Sequence, residues 1–142
     1  MKKNILLLVG LTAIIISACN FVSEPKLVKE DTEAVDMHNS QNSLDWQGTY
    51  EGTLPCADCE GIKTTLQLNE DNTYALTQEY LGRNTFNETG TFNWDSSGSM
   101  ITLSSNNMKF KVGENILFAL DLEGKVITGE LADHYKLKKT GE

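Results

Sequence analysis

Two cysteines three residues apart, Cys56 and Cys59, lie in the string Leu54-Pro55-Cys56-Ala57-Asp58-Cys59-Glu60-Gly61-Ile62. A thiol pair at this spacing can close a disulfide, exchange electrons with a partner or hold a soft metal. The third cysteine, Cys19, falls in a separate segment, so Cys56 and Cys59 are each other's natural partners. As a disulfide they would close a loop too small to gain much chain entropy, and would mainly fix the geometry of a hairpin mouth. Reduced, they would offer two sulfurs to Cu(I) or Zn(II). Two ligands are few for a closed tetrahedral site, whereas Cu(I) tolerates low coordination. Asp58 and Glu60 would attract a cation but oppose thiolate formation. Thioredoxin-type exchange fits poorly, because it needs the first cysteine at a helix N-terminus inside a βαβ unit.

The N-terminus decides which of these the compartment favours. Lys2 and Lys3 precede a mostly apolar run, Ile5 to Ile16, and the small residues Ser17 and Ala18 then lead to Cys19. This is the layout of a secretory signal peptide over 1–18, and the run falls short of the roughly 20 residues a spanning helix needs. Ile16-Ser17-Ala18-Cys19 resembles the bacterial lipobox. That resemblance implies cleavage before Cys19 and acylation of Cys19 (diacylglyceryl on sulfur, a fatty acid such as palmitate on the amine), with the protein held at the membrane by its lipids. Asn20, in place of an aspartate, implies the outer membrane, periplasmic face. Exported cysteines usually oxidise, which favours the disulfide.

Cleavage takes 18 of the 142 residues and leaves 124, enough for one domain with one core. The formal charge of −8 becomes −10 without Lys2 and Lys3. Such an acidic chain has no electrostatic route to nucleic acid and gains nothing from anionic lipid. The two histidines, His38 and His134, match no cysteine or serine constellation, and Met37-His38 reads as plain linker rather than a weak copper site. Nothing singles out a catalytic carboxylate pair, so the expectation is a non-enzyme.

Residues 19–45 read as the acylated N-terminus and a disordered tether, being polar and without helical or strand period. From Trp46 the chain alternates. Trp46, Gly48, Tyr50, Gly52 and Leu54 share one face; Ile62, Thr64, Leu66 and Leu68 follow, then Tyr74, Leu76, Gln78 and Tyr80, then Phe86, Glu88, Gly90, Phe92 and Trp94. Ile101 and Leu103 come next, then Met108, Phe110 and Val112, a strand holding Leu120 and Leu122, one holding Ile127, Gly129 and Leu131, and a last one holding Tyr135 and Leu137. Short polar turns separate the runs. A meander of about eight strands with no covering helix must close to bury its dry face, so 46–142 is expected to be a small antiparallel up-and-down β-barrel. Tyr50, Tyr74, Tyr80, Phe92, Trp94 and Phe110 would either fill its core or line a small apolar cavity.

Trp46-x-Gly48-x-Tyr50-x-Gly52-x-Leu54 running into the Cys56–Cys59 string resembles the N-terminal domain of the copper-resistance lipoprotein family NlpE. Asp71-x-Thr73-Tyr74, Tyr80-Leu81-Gly82, Gly90-x-Phe92-x-Trp94, Leu120-Asp121 and Tyr135-x-Leu137 fit the same pattern. The resemblance implies a lipocalin-like barrel, a link to copper tolerance, and activation of an envelope-stress pathway through the periplasmic domain of a sensor kinase. Longer members carry a second β domain used in sensing misoxidation; this sequence ends at Glu142, so that role does not carry over. The expectation is thus a monomeric outer-membrane lipoprotein in copper homeostasis and envelope-stress signalling, acting through the Cys56–Cys59 loop, with copper as the possible metal. The alternative is a lipocalin-like carrier of small apolar ligands with a purely structural disulfide.

Overall fold

The structure, a computed structural model, describes residues 38–141. The expected signal peptide, the acylation site Cys19, Met37 and most of the tether lie outside these residues. The alternating runs become eight strands in chain order: β1 (Gly48–Leu54), β2 (Ile62–Leu68), β3 (Thr73–Tyr80), β4 (Thr85–Trp94), β5 (Met100–Leu103), β6 (Lys109–Gly113), β7 (Ile116–Ala119) and β8 (Lys136–Thr140). Each pairs antiparallel with the next, and β8 returns to β1 to close the barrel. The β1–β2 register runs from Gly48↔Leu68 to Leu54↔Ile62. Hydrophobic alternation sets it, since a slip of one residue would turn Tyr50 and Leu66 to water.

Four of the six inward aromatics lie in the core. Tyr50, Tyr74, Phe92 and Phe110 are fully buried with Leu66, Leu68, Ile101, Leu103, Leu117 and Leu137, while Trp94 is only partly covered. Tyr50 satisfies its hydroxyl by donating to the Trp46 carbonyl at 2.7 Å. Burial, with a smaller contribution from Asp45, pushes the Tyr50 phenol up to about 12. A phenol whose folded value lies above its unfolded value of about 10 stabilises the fold fully below pH 10 and loses that contribution as pH rises towards 12. Between pH 10 and 12 the unfolding free energy should therefore fall by on the order of 2–3 kcal/mol. Urea titrations of wild type and Tyr50→Phe across this range check it, the variant showing a shallower slope, with a remainder from Tyr74, whose phenol is also pushed up by burial and by Glu88.

Because consecutive strands reverse, the links 55–61, 81–84, 104–108 and 120–135 gather at one rim. The links 69–72, 95–99 and 114–115 lie at the other, with the segment entering β1. That segment differs from the expected disordered tether to residue 45. Asn39 caps a single helical turn, α1 (Ser40–Ser43), through reciprocal bonds with Asn42. Gln41 N–H donates to Gly98 O at 2.9 Å and Ser40 Oγ to Val112 O at 2.7 Å. Lys139 Nζ donates to the Asp45 carboxylate at 3.0 Å and to its carbonyl at 2.8 Å. The lead-in is thus strapped to the barrel from Asn39 on. Polar composition hid this, because the strap is held by hydrogen bonds rather than by an apolar face.

Two expected strands are also corrected. Leu120 and Leu122 do not form the seventh strand; β7 is Ile116–Ala119. The run Ile116-Leu117-Phe118-Ala119-Leu120 is apolar throughout, so alternation gives no phase. The tight turn pairing Gly113 with Ile116 supplies it, sending Leu117 and Ala119 inward. Asp121 then ends the strand, its Oδ1 accepting the N–H groups of Glu123 and Lys125 at 2.9 and 2.8 Å, and Leu122 is left 96% exposed. The strand expected around Ile127, Gly129 and Leu131 is absent. That stretch leads into a 3-10 turn, Ala132–Tyr135, and Leu131 is exposed.

Candidate functional site

The β1–β2 link forms the site. Pro55 follows the last residue of β1, and Gly61 precedes the first of β2. Gly61 takes φ +156°, and a Cβ there would come within 2.6 Å of Thr53 Cγ2, so only glycine lets the loop re-enter the sheet beside β1. Its carbonyl accepts the Leu81 N–H at 3.0 Å, tying the loop to the β3–β4 turn. Between these two ends Cys56 and Cys59 are joined in a disulfide, with Cα atoms 5.3 Å apart. Of the chemistries open to the pair, the structure holds this one. Both cysteines are partly exposed and Asp58 is exposed. The bridge therefore sits at the rim, where a reductant can reach it.

Arg83, in the β3–β4 turn, grips the loop from outside. Its Nη1 meets Asp58 Oδ2 at 2.9 Å, and its Nη2 donates to the Asp58 carbonyl at 2.7 Å. Half-exposed ion pairs of this kind contribute little to stability; here the geometry matters more, because one guanidinium fixes both the side chain and the backbone of the residue between the cysteines. The local pattern gives Arg83 no role, since it stands in one of the short polar turns between strands. The signal that could have found it is topological: in a meander the first and third links share a rim, and these two carry opposite charges.

Cys56 Sγ lies 3.6 Å from Asp58 Oδ1, and Cys59 Sγ lies 3.4 Å from the Gly61 carbonyl. Disulfide sulfurs carry no proton, so these are contacts rather than hydrogen bonds while the bridge is closed. The two sulfurs and one Asp58 carboxylate oxygen all lie within 4.8 Å of one another. The donor set fits a metal only after reduction, since a disulfide sulfur is a poor ligand and a thiolate a good one. Opened, it would offer two soft sulfurs and one oxygen, adequate for Cu(I) and short of a closed zinc site.

Beside the disulfide runs an open cleft of about 330 Å³ between Pro55, Cys56 and Glu60 on one side and Leu131 and His134 on the other. His134 is exposed in the 3-10 turn and does not join the sulfur cluster. Its neighbour Asp133 is held below the usual carboxylate range by its hydrogen bond from Lys136 and by that residue's charge. His38 lies at the far end of the barrel, where its Nδ1 is 3.4 Å from Ser43 Oγ.

The model of the NlpE N-terminal domain matches residues 50–130. Lipoprotein NlpE of Escherichia coli K12 is 33% identical over 89 residues, which are 58% of this chain and 37% of that one. The chain thus spans well under half of that relative. A crystal structure of a Shewanella oneidensis protein described as a lipoprotein is 57% identical, covers 73% of this chain and 97% of its own, and superposes with a TM-score of 0.70. The crystal structure of the Cpx pathway activator NlpE from E. coli is 32% identical, covers 58% of this chain and 46% of its own, and gives 0.49.

Proposed function

Since this chain belongs to the family of NlpE N-terminal domains, we propose that it is a non-enzymatic envelope lipoprotein of the outer membrane that couples copper exposure to the envelope-stress response. The observation carrying this reading is the Cys56–Cys59 bridge, held at an accessible rim with the Asp58 carboxylate against its sulfurs. Closed, the bridge is inert towards metal. Exchange with a dithiol, which leaves as a disulfide, would open it to two thiols, the two electrons and two protons coming from that dithiol. Cys56 and Cys59 would then hold Cu(I) with Asp58 as a third donor, and Arg83 would keep the loop in place as the bridge opens. Two soft donors that become available only when the bridge opens suit capture and report of copper better than storage. Signalling would follow from the periplasmic domain of a sensor kinase reading the state of this rim.

Copper survival in cells tests the proposal. Replacing the chromosomal copy with Cys56→Ser/Cys59→Ser should lower the tolerated copper concentration and blunt the induction of an envelope-stress reporter by copper. The variant should still accumulate at wild-type levels, because so small a loop contributes little to stability. Unchanged survival together with unchanged reporter induction would overturn the reading.

A further inference from the structure

β4 outruns the strand that follows it. Its pairing with β3 extends from Thr73↔Thr91 to Glu79↔Thr85, but its pairing with β5 covers only Phe92 to Trp94. The seam ends where Ser104 N–H donates to the Thr91 carbonyl at 2.9 Å. Beyond that point one edge of β4 has no strand against it among the described residues. Backbone groups alternate sides along a strand pair. Phe92 N–H turns back to Asn72 O and Tyr80 N–H meets Asn84 O, so the even positions of β4 bond towards β3. Thr85, Asn87 and Thr89 therefore aim their N–H and C=O groups at the open side. Among the described residues these groups meet no backbone partner, and all three residues are exposed. Natural sheets blunt such an edge with lysine, proline, an inward-pointing charge or a covering segment. Thr85-Phe86-Asn87-Glu88-Thr89 contains neither lysine nor proline. Its one charge is Glu88, and past the Ser104 N–H bond the link after β5 reaches this edge only through side chains, Ser104 Oγ at Thr91 N–H and Asn106 Nδ2 at Glu88.

The side chains beside this edge select what can fill it. Phe86 is 57% exposed and meets Tyr80 edge-on at 5.4 Å. An open cleft of about 310 Å³ runs past both to Arg83 and Asn84. Two residues further along the same face, Glu88 accepts from the Tyr74 hydroxyl and from Asn106 Nδ2, but has no ion-pair partner among the described residues. An aromatic surface and an unneutralised carboxylate thus flank a row of unpaired backbone groups.

We infer that the free edge of β4 is a docking site for an extended segment of another protein, added antiparallel as an extra strand. Its side chain opposite Phe86 is apolar, and the one opposite Glu88 is basic. Read along the incoming chain, the pattern is basic, any residue, apolar. A second copy of this chain is a poor occupant, since its own edge brings another glutamate and no cation, on a molecule of formal charge −8. The inference stands apart from the copper reading, because neither cysteine takes part.

Amide exchange by NMR on the full-length chain in detergent micelles tests it, with acetyl-Thr-Lys-Thr-Val-Thr-amide as probe. Without peptide, the amides of Thr85, Asn87 and Thr89 should exchange at least about tenfold faster than those of Phe86, Glu88 and Gly90. Peptide near millimolar concentration should slow the three fast amides about tenfold or more. N-methylation of the central threonine removes the donor facing Asn87 and should abolish the effect, as should Asn87→Pro, which leaves the bonds to β3 intact. Glutamate in place of the peptide's lysine should weaken binding several-fold. No slowing with the parent peptide, equal slowing with the N-methylated one, or slowing produced by protein concentration alone would overturn the inference. The last of these would show a second copy on the edge.

Discussion

Replacing Trp46 by alanine should lower the unfolding free energy by about 3–5 kcal/mol. The indole is 6% exposed and plugs the barrel end opposite the disulfide, edge-on to Phe92 at 5.7 Å and to Trp94 at 5.4 Å. Its removal leaves a cavity beside two large rings, Phe92 and Trp94, already edge-on to each other at 6.3 Å and both carried by β4. The Nε1 donor to Gln41 O, at 3.0 Å, also disappears, so the strap loses a bond that pins it to the core. Urea unfolding should show a lower midpoint with the slope unchanged. Limited proteolysis should show faster cleavage within residues 39–45. Trp46→Phe, which keeps most of the ring contact and loses the N–H, should cost about 1–2 kcal/mol.

Gly52→Ala comes next, at about 3 kcal/mol. A Cβ at residue 52 would lie 2.4 Å from the Lys136 carbonyl oxygen and 2.9 Å from Leu137 Cδ2. The first of these is backbone, and no rotamer relieves it. Strand β8 must move, and β8 is the strand that closes the barrel on β1 through Glu51↔Lys138, Tyr50↔Lys139 and Thr49↔Thr140. A single methyl therefore acts on the whole seam. Gly82, where a Cβ meets nothing within 4 Å, is the control for added bulk, although its φ of +75° carries a strain of its own. Thermal melts of the two variants compare the effects, and Gly52→Ala should show the larger drop.

Legibility in the sequence followed the physics of each segment. Strands β1 to β6 were readable because each alternates, so that Tyr50, Leu66, Tyr74, Phe92 and Phe110 mark the dry face without help from context. β7 was not, because a solid apolar run has no phase until the Gly113–Ile116 turn imposes one. The loop after it was misread as a strand, since Ile127, Gly129 and Leu131 do alternate, but Asp121 captures the backbone first and Gly129 takes φ +98°. At the site, the thiol pair and its acidic neighbour were plain from spacing. Arg83 was not, since its partner Asp58 lies 25 positions away and the two meet only through the hairpins. The open edge of β4 was hidden for a different reason. It depends on where the β4–β5 pairing stops, which is a property of strand lengths after closure and not of any local pattern.

Cu(I) titration against a chromophoric chelator addresses the central claim most directly: that this rim couples the redox state of one disulfide to metal capture. Three forms are compared, the reduced chain, the oxidised chain and Cys56→Ser/Cys59→Ser. The account predicts that the reduced chain binds a single Cu(I) at least about a hundredfold more tightly than the other two, a difference of about 2.7 kcal/mol. Equal affinity in all three forms would contradict it.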